Sequence, residues 1–243
     1  MDRVKEAGNR LIFALDVPSR REAEHYVKLL DGAVGCFKVG LELFIKEGPG
    51  VLQVVKDHSD ADIFLDLKLH DIPETVHRAL VSASSHGVRY MTVHSSEGKG
   101  MLQAACDLEP EGLEVLAVTV LTSLSEEQLP SLGFGEGLTL HQLVLSRAEQ
   151  AKEAGCAGVV CSGLEAAAIR ESCGSGFKVV VPGIRPEWSV VGKDDQSRVT
   201  TPKQAIERGA DLIVVGRPIR DAKDPREAAQ KILEEISGAL WPK

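Results

Sequence analysis

No stretch of this chain approaches the run of about 18 apolar residues that a membrane-crossing helix needs, and the opening residues Met1-Asp2-Arg3-Val4-Lys5-Glu6 carry no apolar export signal. An excess of positive charge is also missing. With 28 basic against 36 acidic side chains, a formal charge of -8 and a pI near 5.4, the chain lacks the footprint of a nucleic-acid binder or of a basic membrane patch. No linker rich in Pro, Ser or Gly and no block of like charge divides its 243 residues, so one domain spanning 1–243 is expected. The five cysteines, Cys36, Cys106, Cys156, Cys161 and Cys173, never fall in a CxxC pair. That pattern argues against a zinc site and for reduced thiols in a cytoplasmic protein. The first strand-like run ends Leu15-Asp16-Val17-Pro18-Ser19, without the GxGxxG turn of a dinucleotide-binding open sheet.

What is present is a regular alternation of short β-rich runs with longer, charge-bearing helical segments. Strands are predicted over Leu11 to Val17, Cys36 to Leu41, Asp62 to Leu69, Arg89 to Ser95, Glu114 to Thr122, Gly158 to Gly163, Lys178 to Ile184 and Asp211 to Gly216. Helices are predicted over Ser19 to Leu30, Ile72 to Ser85, Leu138 to Ala154, Pro202 to Arg208 and Pro225 to Ala239. In the second of these, Ile72, Val76, Ala79, Leu80 and Ala83 form an apolar stripe at helical spacing. Eight such strand-helix units fit an α/β fold of the (β/α)8 TIM barrel class, whose usual size is about 250 residues.

One predicted strand carries charges that need a reason. In Asp62 to Leu69, a period of two puts Ile63, Leu65, Leu67 and Leu69 on one face and Asp62, Phe64, Asp66 and Lys68 on the other. Both faces of an all-parallel sheet are covered, and an unpaired charge buried there costs several kcal/mol. A one-sided wet strand would show the same alternation, and Asp71-Ile72-Pro73-Glu74 would serve as a helix start with Asp71 as N-cap of a capping box. Both readings stand on this segment alone.

A barrel gathers the carboxyl ends of its strands at one mouth. Those ends read Asp16, Lys38, Asp66 with Lys68, His94, Thr122, Ser162, Arg185 and Gly216-Arg217. Two acids and two lysines on the first three strands would converge there. Loops after the last two strands of this fold frequently hold a phosphate, and Pro182-Gly183-Ile184-Arg185 and Gly216-Arg217-Pro218 suit that role. Between them, the polar segment Glu187 to Ser197 is predicted to be a mobile lid.

Taken together, Leu15-Asp16-Val17, Lys38-Val39-Gly40, the run from Asp66 to Pro73, Val118 to Ser123, Pro182 to Arg185 and Val215 to Ile219 make the chain resemble the orotidine 5'-phosphate decarboxylase family over nearly its whole length. The resemblance implies a cofactor-free, metal-free enzyme of pyrimidine biosynthesis that converts orotidine 5'-monophosphate to uridine 5'-monophosphate and carbon dioxide. It makes Lys68 the acid that protonates C6 and places Asp66 against the departing carboxylate. Asp71 would enter from a partner subunit to join Lys38, Asp66 and Lys68, so a homodimer is expected. Asp16 and Lys38 would hold ribose hydroxyls, the partner's Thr75 would also touch the nucleotide, and Thr122 would meet the pyrimidine. Arg185, Gln196, Gly216 and Arg217 would grip the phosphate region. The chain departs from the family pattern at His94-Ser95-Ser96-Glu97 and in a slightly long loop before Gln196. A magnesium-dependent relative, the 3-keto-L-gulonate 6-phosphate decarboxylase type, carries a Glu metal ligand where this chain has Lys38. A non-catalytic barrel that senses a phosphorylated ligand would not need both Asp66 and Lys68.

Overall fold

A computed structural model describes residues 3–107, 112–135, 137–189 and 198–241. Eight parallel strands, β1 (Leu11–Ala14), β2 (Cys36–Gly40), β3 (Asp62–Leu69), β4 (Tyr90–His94), β5 (Glu114–Val118), β6 (Gly158–Val160), β7 (Lys178–Val181) and β8 (Leu212–Val215), close into a barrel in chain order. β8 pairs back onto β1 through Leu11 to Ile213, Ile12 to Val214 and Phe13 to Val215. The TIM barrel read from the strand count is therefore the fold.

Helix α1 (Arg3–Gly8) precedes β1, and α2 (Arg20–Leu30), α3 (Leu41–Glu47), α4 (Gly50–His58), α5 (Pro73–Ser84) and α6 (Lys99–Cys106) connect the first five strands. Next come α7 (Leu140–Glu153), α8 (Ala166–Cys173), α9 (Pro202–Glu207), the short α10 (Arg217–Arg220) and α11 (Pro225–Leu240). Among the described residues no helix is long and apolar enough to cross a membrane.

The period of two sorts side chains into two cores. Ile12, Ala14, Cys36, Phe64, Tyr90, Leu116, Val180, Leu212 and Val214 fill the barrel interior. Their alternates, such as Phe13, Phe37, Leu65 and Val115, pack outward against helical residues including Val27, Leu52, Leu80 and Ile232. Burying a side chain of that size is worth roughly 1.5–3 kcal/mol, so this double layer is the main source of stability. Asp66 and Lys68 continue the inward face begun by Phe64, as the alternation of β3 requires.

Most strands end earlier than their sequence signal. β1 stops at Ala14 rather than Val17 and β5 at Val118 rather than Thr122, because ladder pairing ends where each chain segment turns out toward its helix. Apolar alternation persists past that point, which is why it extends the prediction.

Two local expectations at α5 are corrected. The N-cap is Ile72, without a side-chain cap bond, and not Asp71. The Asp71 carboxylate instead accepts from the amide of Ile72 at 2.7 Å, while Glu74 pairs with Arg78 at 2.7 Å rather than closing a capping box. Pro73 supplies the helix-ready φ at the first position, so the helix starts there without a capping carboxylate. Ile72 also leaves the apolar stripe, being 67% exposed, whereas Val76, Leu80 and Ala83 are buried as expected.

Candidate active site

At the carboxyl end of the barrel, β1, β2 and β3 each deliver a charge to one wall. Lys68 Nζ lies 2.8 Å from Asp66 Oδ1, and Lys38 Nζ lies 3.5 Å from Asp66 Oδ2 and 3.3 Å from Asp16 Oδ1. The result is a chain of alternating sign, Asp16, Lys38, Asp66, Lys68, graded from an open end at Asp16 to a covered centre. The side chains of Lys38 and Asp66 are only 12% and 13% exposed, against 51% for Asp16. Gly40, one strand residue beyond Val39, keeps this wall open: a Cβ there would sit 3.3 Å from Lys38 Nζ and 3.5 Å from Asp16 Oδ1.

The electrostatics follow from that burial. Desolvation alone would raise the Asp66 carboxyl, but the charges of Lys38 and Lys68 and the bonds from Lys68 and Thr92 together hold it below the usual carboxylate range. For Lys38 desolvation works downward, yet the flanking Asp16 and Asp66 outweigh it and leave the ammonium raised. Both groups therefore stay ionised in a poorly hydrated place.

The backbone at this point is unusual. Lys68 adopts φ 50, the left-handed region, where β3 and β4 shift register between Leu65 and Leu69. A non-glycine residue there costs on the order of 1 kcal/mol or more, and the surroundings must hold it. Thr92 does so. Its hydroxyl accepts from Lys68 N at 2.8 Å and donates to Asp66 Oδ1 at 2.9 Å, tying strand backbone and carboxylate into one unit.

These charges open into a cavity of about 580 Å3 with an apolar floor of Ala14, Phe64, Val160 and Val214. Thr122, Arg185, Arg217 and Arg220 also line it. Gly216 lines it as well, and a Cβ there would meet Asp16 Oδ2 at 3.4 Å. A smaller cavity of about 290 Å3 beside α10 shares Arg217, but it is otherwise bounded by surface groups of α11 such as Glu227 and Lys231 and holds none of the alternating charges. The larger space is where chemistry is feasible.

Of the residues singled out from sequence, Asp16, Lys38, Asp66, Lys68, Thr122, Arg185, Gly216 and Arg217 meet around this one cavity. Asp71 and Thr75 do not join them; both are exposed, and among the described residues Asp71 enters no ion pair. Gln196 and most of the segment Glu187 to Ser197 lie outside the described residues, whereas Trp188 donates to Glu235 on α11 at 2.9 Å.

Residues 9–232 match the model of the orotidine 5'-phosphate decarboxylase / HUMPS family. The chain belongs to that family. It is 50% identical over 233 residues to the orotidine 5'-phosphate decarboxylase of Desulfosudis oleivorans, covering 95% of this chain and 94% of that protein. To the enzyme of the same name from Syntrophotalea carbinolica it is 45% identical over 243 residues, covering 97% and 98%. The crystal structure of orotidine 5'-phosphate decarboxylase from Lactobacillus acidophilus is similar with a TM-score of 0.80 at 37% identity, covering 93% of this chain and 98% of that one.

Sequence reasoning passed over two residues that bond to this charged chain. Thr92 is fully buried and shares the inward face of β4 with Tyr90 and His94, so a polar side chain at an inward strand position was its signal. Arg220 reaches the wall from α10, donating to the Asp16 carbonyl at 2.7 Å. Nothing local distinguishes it from a surface arginine. At the end of β4, burial first, then neighbouring His70 and Lys68, lower the pKa of His94.

Proposed function

We propose that this chain decarboxylates orotidine 5'-monophosphate to uridine 5'-monophosphate and carbon dioxide without a metal, by fixed charges at the barrel mouth. The observation that carries the reading is the Asp16, Lys38, Asp66, Lys68 chain sharing one cavity with Arg185 and Arg217. An anionic substrate needs cations in a protein of net charge -8, and Arg185 and Arg217 supply them where a phosphate would enter, whereas Arg220 is already paired with Asp221 at 2.6 Å. Arg185 and Arg217 grip the phosphate, with Gly216 leaving room beside them. Thr122 faces the pyrimidine, and Asp16 and Lys38 hold ribose hydroxyls.

In this reading the substrate carboxylate lies beside Asp66. The C6 to carboxyl bond breaks with its electron pair left on C6, and carbon dioxide departs. The Lys68 ammonium, fixed 2.8 Å from Asp66, stabilises the developing carbanion and then transfers a proton to it. Solvent returns a proton to Lys68. Asp66 keeps Lys68 aimed, and Thr92 keeps Asp66 in place.

Asp71 and Thr75 are assigned to the neighbouring site of a homodimer. Asp71 stands exposed at the start of α5 beside the exposed Ile72, and α3 following the adjacent β2 exposes Leu41 and Ile45 at 48% and 77%. An uncovered apolar rim next to a spare carboxylate suits a second copy of the chain. Lys38 disfavours the magnesium-dependent alternative, because its ammonium occupies the position between Asp16 and Asp66 where a divalent cation would need a ligand.

The test is to add the purified protein to orotidine 5'-monophosphate, with and without a chelator, and follow the ultraviolet change. Turnover unaffected by the chelator is expected, with loss of at least about a thousandfold in Lys68→Ala while nucleotide binding persists. Activity lost to the chelator and restored by magnesium, or near-normal turnover in Lys68→Ala, would overturn the reading.

A further inference from the structure

Five cysteines without a pairing pattern in sequence fold so that two of them meet. Cys106 ends α6, Cys156 follows the turn that ends α7, and their Sγ atoms lie 3.0 Å apart. Neither is in a disulfide; Cys156 is buried and Cys106 is partly open to solvent. Cys36, Cys161 and Cys173 are buried, and desolvation raises each of their thiols, which suppresses the reactive thiolate.

The backbone holds both members of the pair. After α7, Cys156 N donates to Ala151 O at 3.0 Å and Gly155 N to Lys152 O at 3.1 Å, the two bonds of a Schellman ending, with Gly155 at φ 87 in the left-handed position that glycine takes. On the other side Asp107 N donates to Gln103 O at 2.8 Å, closing the last turn of α6. A Cβ at Gly155 would lie 3.8 Å from Cys106 Cβ, so the end of α6 packs directly on this turn. The ion pair of Lys99 with Glu153, at 2.9 Å, braces the same two helices. From 3.0 Å the sulfurs need to close by about 1 Å to reach a bond of about 2.05 Å, a shift within reach of side-chain rotation.

We propose that Cys106 and Cys156 are a dithiol that oxidises to an intramolecular disulfide, clamping the end of α6 to the turn between α7 and β6. The oxidant is a small-molecule disulfide. The Cys106 thiolate, the more accessible of the two, attacks one sulfur of the oxidant and releases its first thiol, leaving a mixed disulfide on Cys106. Cys156 then attacks Cys106 Sγ and expels the second thiol, which takes up the Cys156 proton. Two electrons pass to the oxidant, which ends as two thiols. The bond closes a loop of about 50 residues and sits where the chain enters β5 and β6, at the barrel end opposite the charged mouth. Constraining that loop in the unfolded chain stabilises the fold. This inference is independent of the function proposed for the mouth.

The experiment treats the reduced, folded full chain with oxidised glutathione, blocks remaining thiols, and maps peptides by mass spectrometry without reduction. A monomeric chain two hydrogens lighter, with the Cys106 and Cys156 peptides joined, is expected. Cys106→Ser and Cys156→Ser should each abolish the joined peptide, and oxidation of the unmodified chain should raise Tm by about 5–10 °C, reversed by a dithiol reductant. Glutathione retained on Cys106, a joined peptide that forms only in denaturant, or an unchanged Tm with the bond formed would overturn the proposal.

Discussion

Asp66 is the residue on which the mouth turns, since it touches both lysines and the Thr92 hydroxyl and is covered on most sides. Its folded pKa is depressed, so its ionisation contributes stability that is present above the ordinary carboxylate pKa of about 3.9 and is lost as pH falls through the folded value. Asp66→Asn removes this term and leaves Lys38 and Lys68 facing a neutral amide. Urea unfolding across a pH series should therefore show the mutant well below the unmodified protein at neutral pH, with the gap shrinking as pH drops below about 4. A gap independent of pH would mean that the carboxylate is not held by the lysines. Lys38 has the opposite sign: its raised pKa adds stability that persists through neutral pH and fades only as pH rises through that value. The two limbs leave the charge chain intact across the whole physiological range.

At the scale of elements, the loops after β6 and β7 are tied by one buried ion pair, whose arginine also donates to Leu121 O in the loop after β5 at 3.5 Å. Arg198 Nη1 lies 2.7 Å from Glu165 Oε1, with side-chain exposures of 10% and 6%, and the segment just beyond bonds back through Arg185 N to Thr200 O at 2.9 Å. Burial raises the Glu165 carboxyl even against the pull of Arg198, and Glu165 Oε2 and Arg198 Nε have no hydrogen-bond partner among the described residues. The desolvation cost thus rivals the attraction, and the value of the pair lies in holding the loops that carry Thr122 and Arg185 rather than in net stability. Removing one charge alone strands the other. Arg198→Met should cost about 3–5 kcal/mol, while the double change Arg198→Met with Glu165→Leu should recover much of that loss. Chemical denaturation of the two singles and the double measures it, and strictly additive losses would contradict the account.

For the whole molecule, the decisive question is whether one chain makes one complete site. Asp71 is exposed on a segment that leads out of β3, and in one chain it bonds only its own Ile72 amide among the described contacts. If a second copy receives it, Lys68→Ala and Asp71→Ala chains, each inactive alone, should regain activity when mixed and exchanged. In the heterodimer one site then carries both defects and the other carries neither, so about half of the activity per site pair returns. If Asp71 serves only its own chain, every site keeps a defect and no activity returns. Size analysis and an assay of the exchanged mixture decide between them.

The barrel and most of its mouth were legible in the sequence because sheet patterning is local. A period of two is enough to place Asp66 and Lys68 on the face of Phe64, and strand order is enough to send Asp16, Lys38, Arg185 and Arg217 to the same end. What lay beyond the sequence are relations between residues brought together by ring closure. Local pattern has no term for the register shift that places Lys68 at φ 50, for Thr92 beneath it, or for Arg220 arriving from the short helix after the last strand. The same holds for Ile72, which periodicity assigned to the core and the entry geometry of α5 turned outward, and for Cys106 and Cys156, adjacent only because α6 and α7 pack. Periodicity decides which face a side chain takes; the closure of the barrel and the packing of its helices decide which distant side chain it meets.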